Sequence, residues 1–205
     1  MGSKRAVNLL RRMITPAMDA KVGTINYKRK VYNSVAQTDA KTFTTSDSGT
    51  LVVLASTAGQ IQVFNLPTIA STADLGTYFD FIVTVAGNSG AAGSYTINTG
   101  GNASDLTASP TAGYDDFIGV LSVVDLALPA MPADDASNVK PAAGEGALIL
   151  AEDTTNAIVG PGTNFRVTAV ALSTTTAAAN VWHIQGTIAT SQATGFVTTN
   201  LFTAP

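Results

Sequence analysis

The sequence predicts an all-β protein, an antiparallel β-sandwich or jelly roll, with an extended basic arm at its N-terminus. Three observations carry that expectation. After residue 40 the hydrophobic pattern repeats every second residue in short runs. Turn-forming glycine, asparagine and proline divide those runs. No segment of useful length with a 3.6-residue period follows residue 40, which argues against alternating strand–helix architecture.

Charge divides the chain the same way. Eight of the 11 Lys and Arg residues fall in residues 1–30, with Asp19 the one acid there, so this stretch carries +7. The remaining 175 residues hold Lys41, Lys140 and Arg166 against thirteen acids, or −10. A net charge of −3 thus hides a basic arm on an acidic body, an asymmetry that suggests a tail that docks on something. The expected organisation is an arm and linker over residues 1–40 and one β domain over residues 41–205. Charged residues make up 12% of the chain, about half the usual share, and small polar residues fill the gap. With no cysteine, disulfides and thiolate metal sites are excluded. No apolar run approaches the roughly 20 residues of a membrane span, and no signal-peptide core is visible.

Residues 3–14 read as a short amphipathic helix, with Ala6, Val7, Leu9, Leu10, Met13 and Ile14 on one face and Lys4, Arg5, Asn8, Arg11 and Arg12 on the other. Ser3 can cap it and Pro16 ends it. A helix of this length is marginal in water and needs a partner surface. A mitochondrial presequence and a membrane-surface helix share this pattern; docking onto a protein or a polyanion is the favoured reading. Lys28, Arg29 and Lys30 form the tightest basic cluster, read as a contact to phosphate or acidic protein, with a solvated charge run as the plain alternative. Val22, Ile25, Tyr27, Val31 and Tyr32 could add an edge strand to this subunit or a neighbour.

In the body, residues 50–55 form a buried strand and residues 60–64 alternate. Residues 78–85 give the clearest strand, with Phe79, Phe81, Val83 and Val85 on one side. Residues 94–98 return as a short strand, and residues 117–128 as a longer one in which Gly119 invites a bulge. Residues 129–144 read as a loop or a packing arm. Further strands follow at residues 146–151, at 165–171 with Phe165, Val167, Ala169 and Ala171 inward, at 181–189 with Trp182, Ile184 and Ile188 sharing a face, and at 195–202. No fixed-length repeat is evident.

Chemistry is sparse. His183, the single histidine, should face away from the core beside Trp182, and one histidine builds neither a histidine metal site nor a triad without a nucleophile elbow. The pairs Asp115-Asp116, Asp134-Asp135 and Glu152-Asp153 read as hydrated loop acids. The glycine clusters at 87–93 and 160–162 lack the Lys and Ser/Thr of a phosphate loop. Asn102-Ala103-Ser104 fits a glycosylation acceptor but lacks a signal peptide. No catalytic, metal or cofactor residue is expected, and the protein reads as a non-enzyme.

The runs Asp47-Ser48-Gly49-Thr50-Leu51-Val52-Val53-Leu54, Phe64-Asn65-Leu66-Pro67 and Leu75-Gly76-Thr77-Tyr78-Phe79-Asp80-Phe81, with Asn180-Val181-Trp182-His183-Ile184-Gln185-Gly186-Thr187, resemble small β-rich virion proteins of tailed phages. The resemblance implies a capsid decoration or cement protein on the virion surface, a homo-oligomer with a trimer favoured, and a major capsid or other shell protein as partner. It assigns no contact residues. The arm's own chemistry nominates Lys4, Arg5, Leu9, Leu10, Arg11, Arg12, Met13, Ile14, Lys28, Arg29 and Lys30 for the partner contact. Membrane and nucleic-acid partners are not expected. The alternatives are a coat protein whose arm faces the genome and a carbohydrate-binding adhesin module of a tail or fibre.

Overall fold

A computed structural model of the chain describes residues 29–35, 39–55, 61–86, 94–99, 117–125, 138–141, 146–150, 159–171, 180–190 and 201–203. The predicted amphipathic helix, the strand start at 195 and the acidic pairs lie outside these residues.

Among the described residues twelve strands form two sheets: β1 (Val31–Asn33), β2 (Lys41–Thr42), β3 (Leu51–Leu54), β4 (Gln62–Asn65), β5 (Tyr78–Val83), β6 (Tyr95–Asn98), β7 (Phe117–Asp125), β8 (Asn138–Val139), β9 (Ala147–Leu150), β10 (Asn164–Ala171), β11 (Asn180–Thr190) and β12 (Phe202–Thr203). The larger sheet runs β1-β3-β5-β10-β11-β7-β8 and the smaller β12-β9-β6-β4-β2. The all-β expectation holds, but the sheets are mixed rather than antiparallel. β1–β3, β3–β5, β2–β4, β4–β6 and β7–β11 pair in parallel.

For the first four of these pairs the cause is a coil. From β1 to β7 successive strands alternate between the sheets. Each return therefore enters its sheet from the same end and lies parallel to the strand laid down one turn earlier. The turns are unequal: Val31 pairs with Leu51, and Leu51 with Asp80. β10 then enters antiparallel between β5 and β11.

Two turns of this coil start alike. Thr44-Thr45-Ser46-Asp47-Ser48-Gly49-Thr50 precedes β3, and Ser71-Thr72-Ala73-Asp74-Leu75-Gly76-Thr77 precedes β5. In each, a 3₁₀ turn (Thr45–Asp47, Thr72–Asp74) is closed by its aspartate. Asp47 Oδ2 accepts from the Thr44 N–H at 3.0 Å, and Asp74 Oδ2 from the Ser71 N–H at 2.9 Å. The glycine that follows sits at φ +85° or +84°, open to glycine without steric cost. Its N–H bonds the next strand of the sheet: Gly49 to Tyr78 O at 2.8 Å, Gly76 to Ala169 O at 2.9 Å. The motif recurs after 27 residues, a short repeat that the flanking loops conceal.

Alternation places the core. In β5, Phe79, Phe81 and Val83 are buried, while Val85 beyond the strand is 44% exposed. In β10, Phe165, Val167 and Ala169 face inward, but Ala171 at the strand end is exposed. Trp182, Ile184 and Ile188 are buried on β11. Aromatic contacts weld the sheets. Phe64 of the small sheet meets Phe81 of the large at 6.3 Å, Phe43 bridges Phe64 and Phe79, and Phe117 meets Phe202 at 5.9 Å. Gly119 makes no bulge, since the β7–β11 register runs unbroken through it; glycine serves a close approach instead, at φ +120°, where a Cβ would lie 2.0 Å from the carbonyl oxygen of Ile184.

Candidate attachment interface

Of the nominated contact residues, the structure describes Arg29 and Lys30; Lys4, Arg5, Leu9, Leu10, Arg11, Arg12, Met13, Ile14 and Lys28 lie outside the described residues. Both described residues engage the chain's own body. The Lys30 carbonyl accepts from Leu51 N–H at 2.8 Å, which opens the β1–β3 ladder. That bond fixes the backbone, and the two side chains reach separate anchors. Val31 and Tyr32 thus supply the edge strand on this subunit, within the stretch read as arm and linker.

Arg29 donates from Nε to the Gly49 carbonyl at 3.0 Å and from Nη2 to Asp80 Oδ2. Lys30 donates to Asp47 Oδ1. Both acids also have partners within the body. Asp47 is gripped by its own 3₁₀ turn through the Thr44 N–H and hydroxyl. Asp80 on β5 is clamped by Arg166 on β10, with Nε at 2.7 Å from Oδ1 and Nη2 at 2.9 Å from Oδ2, the two-pronged geometry guanidinium favours. The Arg166 guanidinium also lies 4.6 Å from the Tyr78 ring centroid. The Lys30 ammonium and the Thr44 bonds hold the Asp47 carboxyl at about 2, below its usual 3.8.

Strand register sets these groups in one row across the outer face of the large sheet: Val31, Leu51, Asp80, Arg166, Gln185 and Val120. A shallow depression of about 550 Å³ opens there, walled by Arg29, Asp80, Asn164, Arg166, Gln185 and the backbone of Gly186. Gly186 has to be glycine. A Cβ would fall 2.3 Å from the Asn164 carbonyl oxygen and 2.4 Å from Phe165 Cα, forcing β11 off β10.

The clasp changes the charge the arm can offer a partner. With Arg29 and Lys30 paired to body acids, residues 1–28 retain six cations and Asp19, or +5. Sequence reasoning found the basic cluster but not its anchors. A lone Asp80 inside a strand and an Asp47 in a turn carry no local sign that they meet residues 51 and 17 positions upstream.

His183 lies half-buried on β11 opposite Thr168, facing away from the core as expected. Among the described residues no group of three His, Cys, Asp or Glu side chains could hold a metal ion, and no helix is long and apolar enough to cross a membrane. Gly160 and Gly162 form the turn into β10. No family model, curated protein or solved structure matches this chain.

Proposed function

We propose that this chain is a structural attachment protein, a shell-decorating virion protein of the kind its sequence resembles, in which a β body carries a basic arm to an acidic shell protein. The observation that carries the reading is the clasp. Three side-chain bonds from Arg29 and Lys30, backed by the β1 ladder, fix the point at which the +5 segment of residues 1–28 joins the remaining −8. A tether rooted at a defined point confines its charge and its apolar residues to the reach of that point, which raises their effective concentration at a shell the body already touches.

Burying Leu9, Leu10, Met13 and Ile14 on a partner would contribute roughly 1.5–3 kcal/mol each before that cost. The six cations of residues 1–28 would steer the encounter and set register more than they add affinity. A homo-oligomer, a trimer in this reading, gains further by presenting several arms to one shell. The body contributes spacing and subunit contacts.

Deleting residues 1–28 tests the proposal and leaves the clasp intact. The truncated protein should keep its circular dichroism spectrum and its melting transition, yet cease to cosediment with assembled shells. Undiminished cosedimentation would remove the arm from the attachment mechanism. If the full chain instead bound DNA with steep salt dependence and ignored shells, the genome-facing coat reading would take its place.

A further inference from the structure

We infer that the depression beside Asp80 is a seat for a carboxylate carried by an acidic polypeptide, held between Arg29 and Arg166. Two guanidiniums share the single carboxylate of Asp80, so the cluster carries one uncompensated positive charge on a body that is otherwise −10. Both side chains remain accessible, at 40% and 46% exposure.

Their donors are not exhausted. Arg166 spends Nε and Nη2 on Asp80, and Arg29 spends Nε on Gly49 O and Nη2 on Asp80. Nη1 of each has no hydrogen-bond partner among the described residues. Guanidinium N–H groups left over in a fixed frame match the planar oxygens of a carboxylate. The frame here is stiff: Arg166 is braced on Asp80 and on the Tyr78 ring, and Arg29 on the Gly49 carbonyl. Gln185 and Asn164 add amides to the same wall, and at Gly186 no side chain stands over the floor.

The site is composite, since one guanidinium comes from the root of the arm and the other from β10. It requires nothing of residues 1–28. It therefore stands or falls separately from the shell-attachment reading, which cosedimentation decides.

The probe is a blocked tetra-aspartate peptide titrated into the full chain at physiological salt, followed by the Nε–H resonances of Arg29 and Arg166 in nitrogen-15 spectra. Both resonances should move together and saturate. Arg166→Lys, which keeps the charge and loses the fork, should bind roughly tenfold more weakly, while Lys140→Gln should bind as the parent does. Shifts confined to residues 1–28, equal binding by Arg166→Lys, or a response to an octathymidylate in place of the peptide would each overturn the assignment. Should Arg166→Lys fail to fold, the two resonances in the parent chain decide alone.

Discussion

Substituting Gly119 tests the parallel pairing of β7 with β11, the feature that most separates this fold from an antiparallel sandwich. Gly119 pairs with Ile184 at φ +120°, and an added Cβ would meet the Ile184 carbonyl oxygen at 2.0 Å, its carbon at 3.0 Å and its nitrogen at 3.1 Å. Two costs add. Holding a non-glycine residue at such a φ costs about 1–3 kcal/mol. The contact then falls a full ångström short of the closest approach real Cβ atoms make, and the obstacle is backbone. Relief requires β7 to move off β11 and weaken the ladder along Phe117–Asp125. Gly119→Ala should therefore lose about 3–5 kcal/mol in urea unfolding, a large part of a typical domain's stability. Gly76→Ala supplies the internal standard. Gly76 has φ +84° and nothing within 4 Å of an added Cβ, so its alanine pays the backbone cost alone, about 1–2 kcal/mol. The difference between the two variants measures the steric part. Equal losses for the two alanines would refute the close β7–β11 approach.

Two buried threonines should respond in opposite directions. Thr163 Oγ1 accepts from Ala189 N–H at 2.9 Å and donates to the Ala189 carbonyl at 3.2 Å, so Thr163→Val should cost about 1–3 kcal/mol. Thr190 Oγ1 is buried with no hydrogen-bond partner among the described residues, so Thr190→Val should be neutral or stabilise by up to about 1 kcal/mol; both are read from thermal melts. Because the folded carboxyl of Asp47 sits at about 2, below its usual 3.8, its contribution is fully present above the unfolded value and is lost as pH falls from about 4 to 2. Lys30→Gln should raise the Asp47 titration midpoint toward 3.8, seen in carboxyl carbon-13 shifts; an unmoved midpoint would show that Lys30 is not the cause. As Lys30 is 60% exposed, the stability at stake is on the order of 1 kcal/mol or less. Asp80→Asn should release Arg29 more than Arg166, since Arg166 keeps its Tyr78 ring, and faster amide exchange at Tyr32 and Ser34, the β1 residues whose N–H groups face β3, would report it.

Strand identity was legible because a sheet buried on one face writes its pattern into every second residue. Residues 78–83 show this plainly, and Gly119 stood out inside such a run, although it serves a close approach to Ile184 rather than a bulge. Orientation was not legible, because the two-residue period is the same in parallel and antiparallel ladders. The repeat before β3 and β5 is written in the sequence as Asp-x-Gly-Thr at 47–50 and 74–77, the signature of a turn rather than of a whole module.

From its own composition the chain settles that it is rich in strands, poor in charge, and split into a +7 opening and a −10 remainder. Those are sums and short-range patterns, and no folding is needed to state them. Which strands are neighbours, that half the pairings are parallel, and that Arg29 and Lys30 are spent on Asp80 and Asp47 follow only once the coil brings distant turns into register. The physical reason is range: burial preference acts residue by residue, whereas a strand pairing or an ion pair depends on two segments whose separation in sequence says nothing about their separation in space.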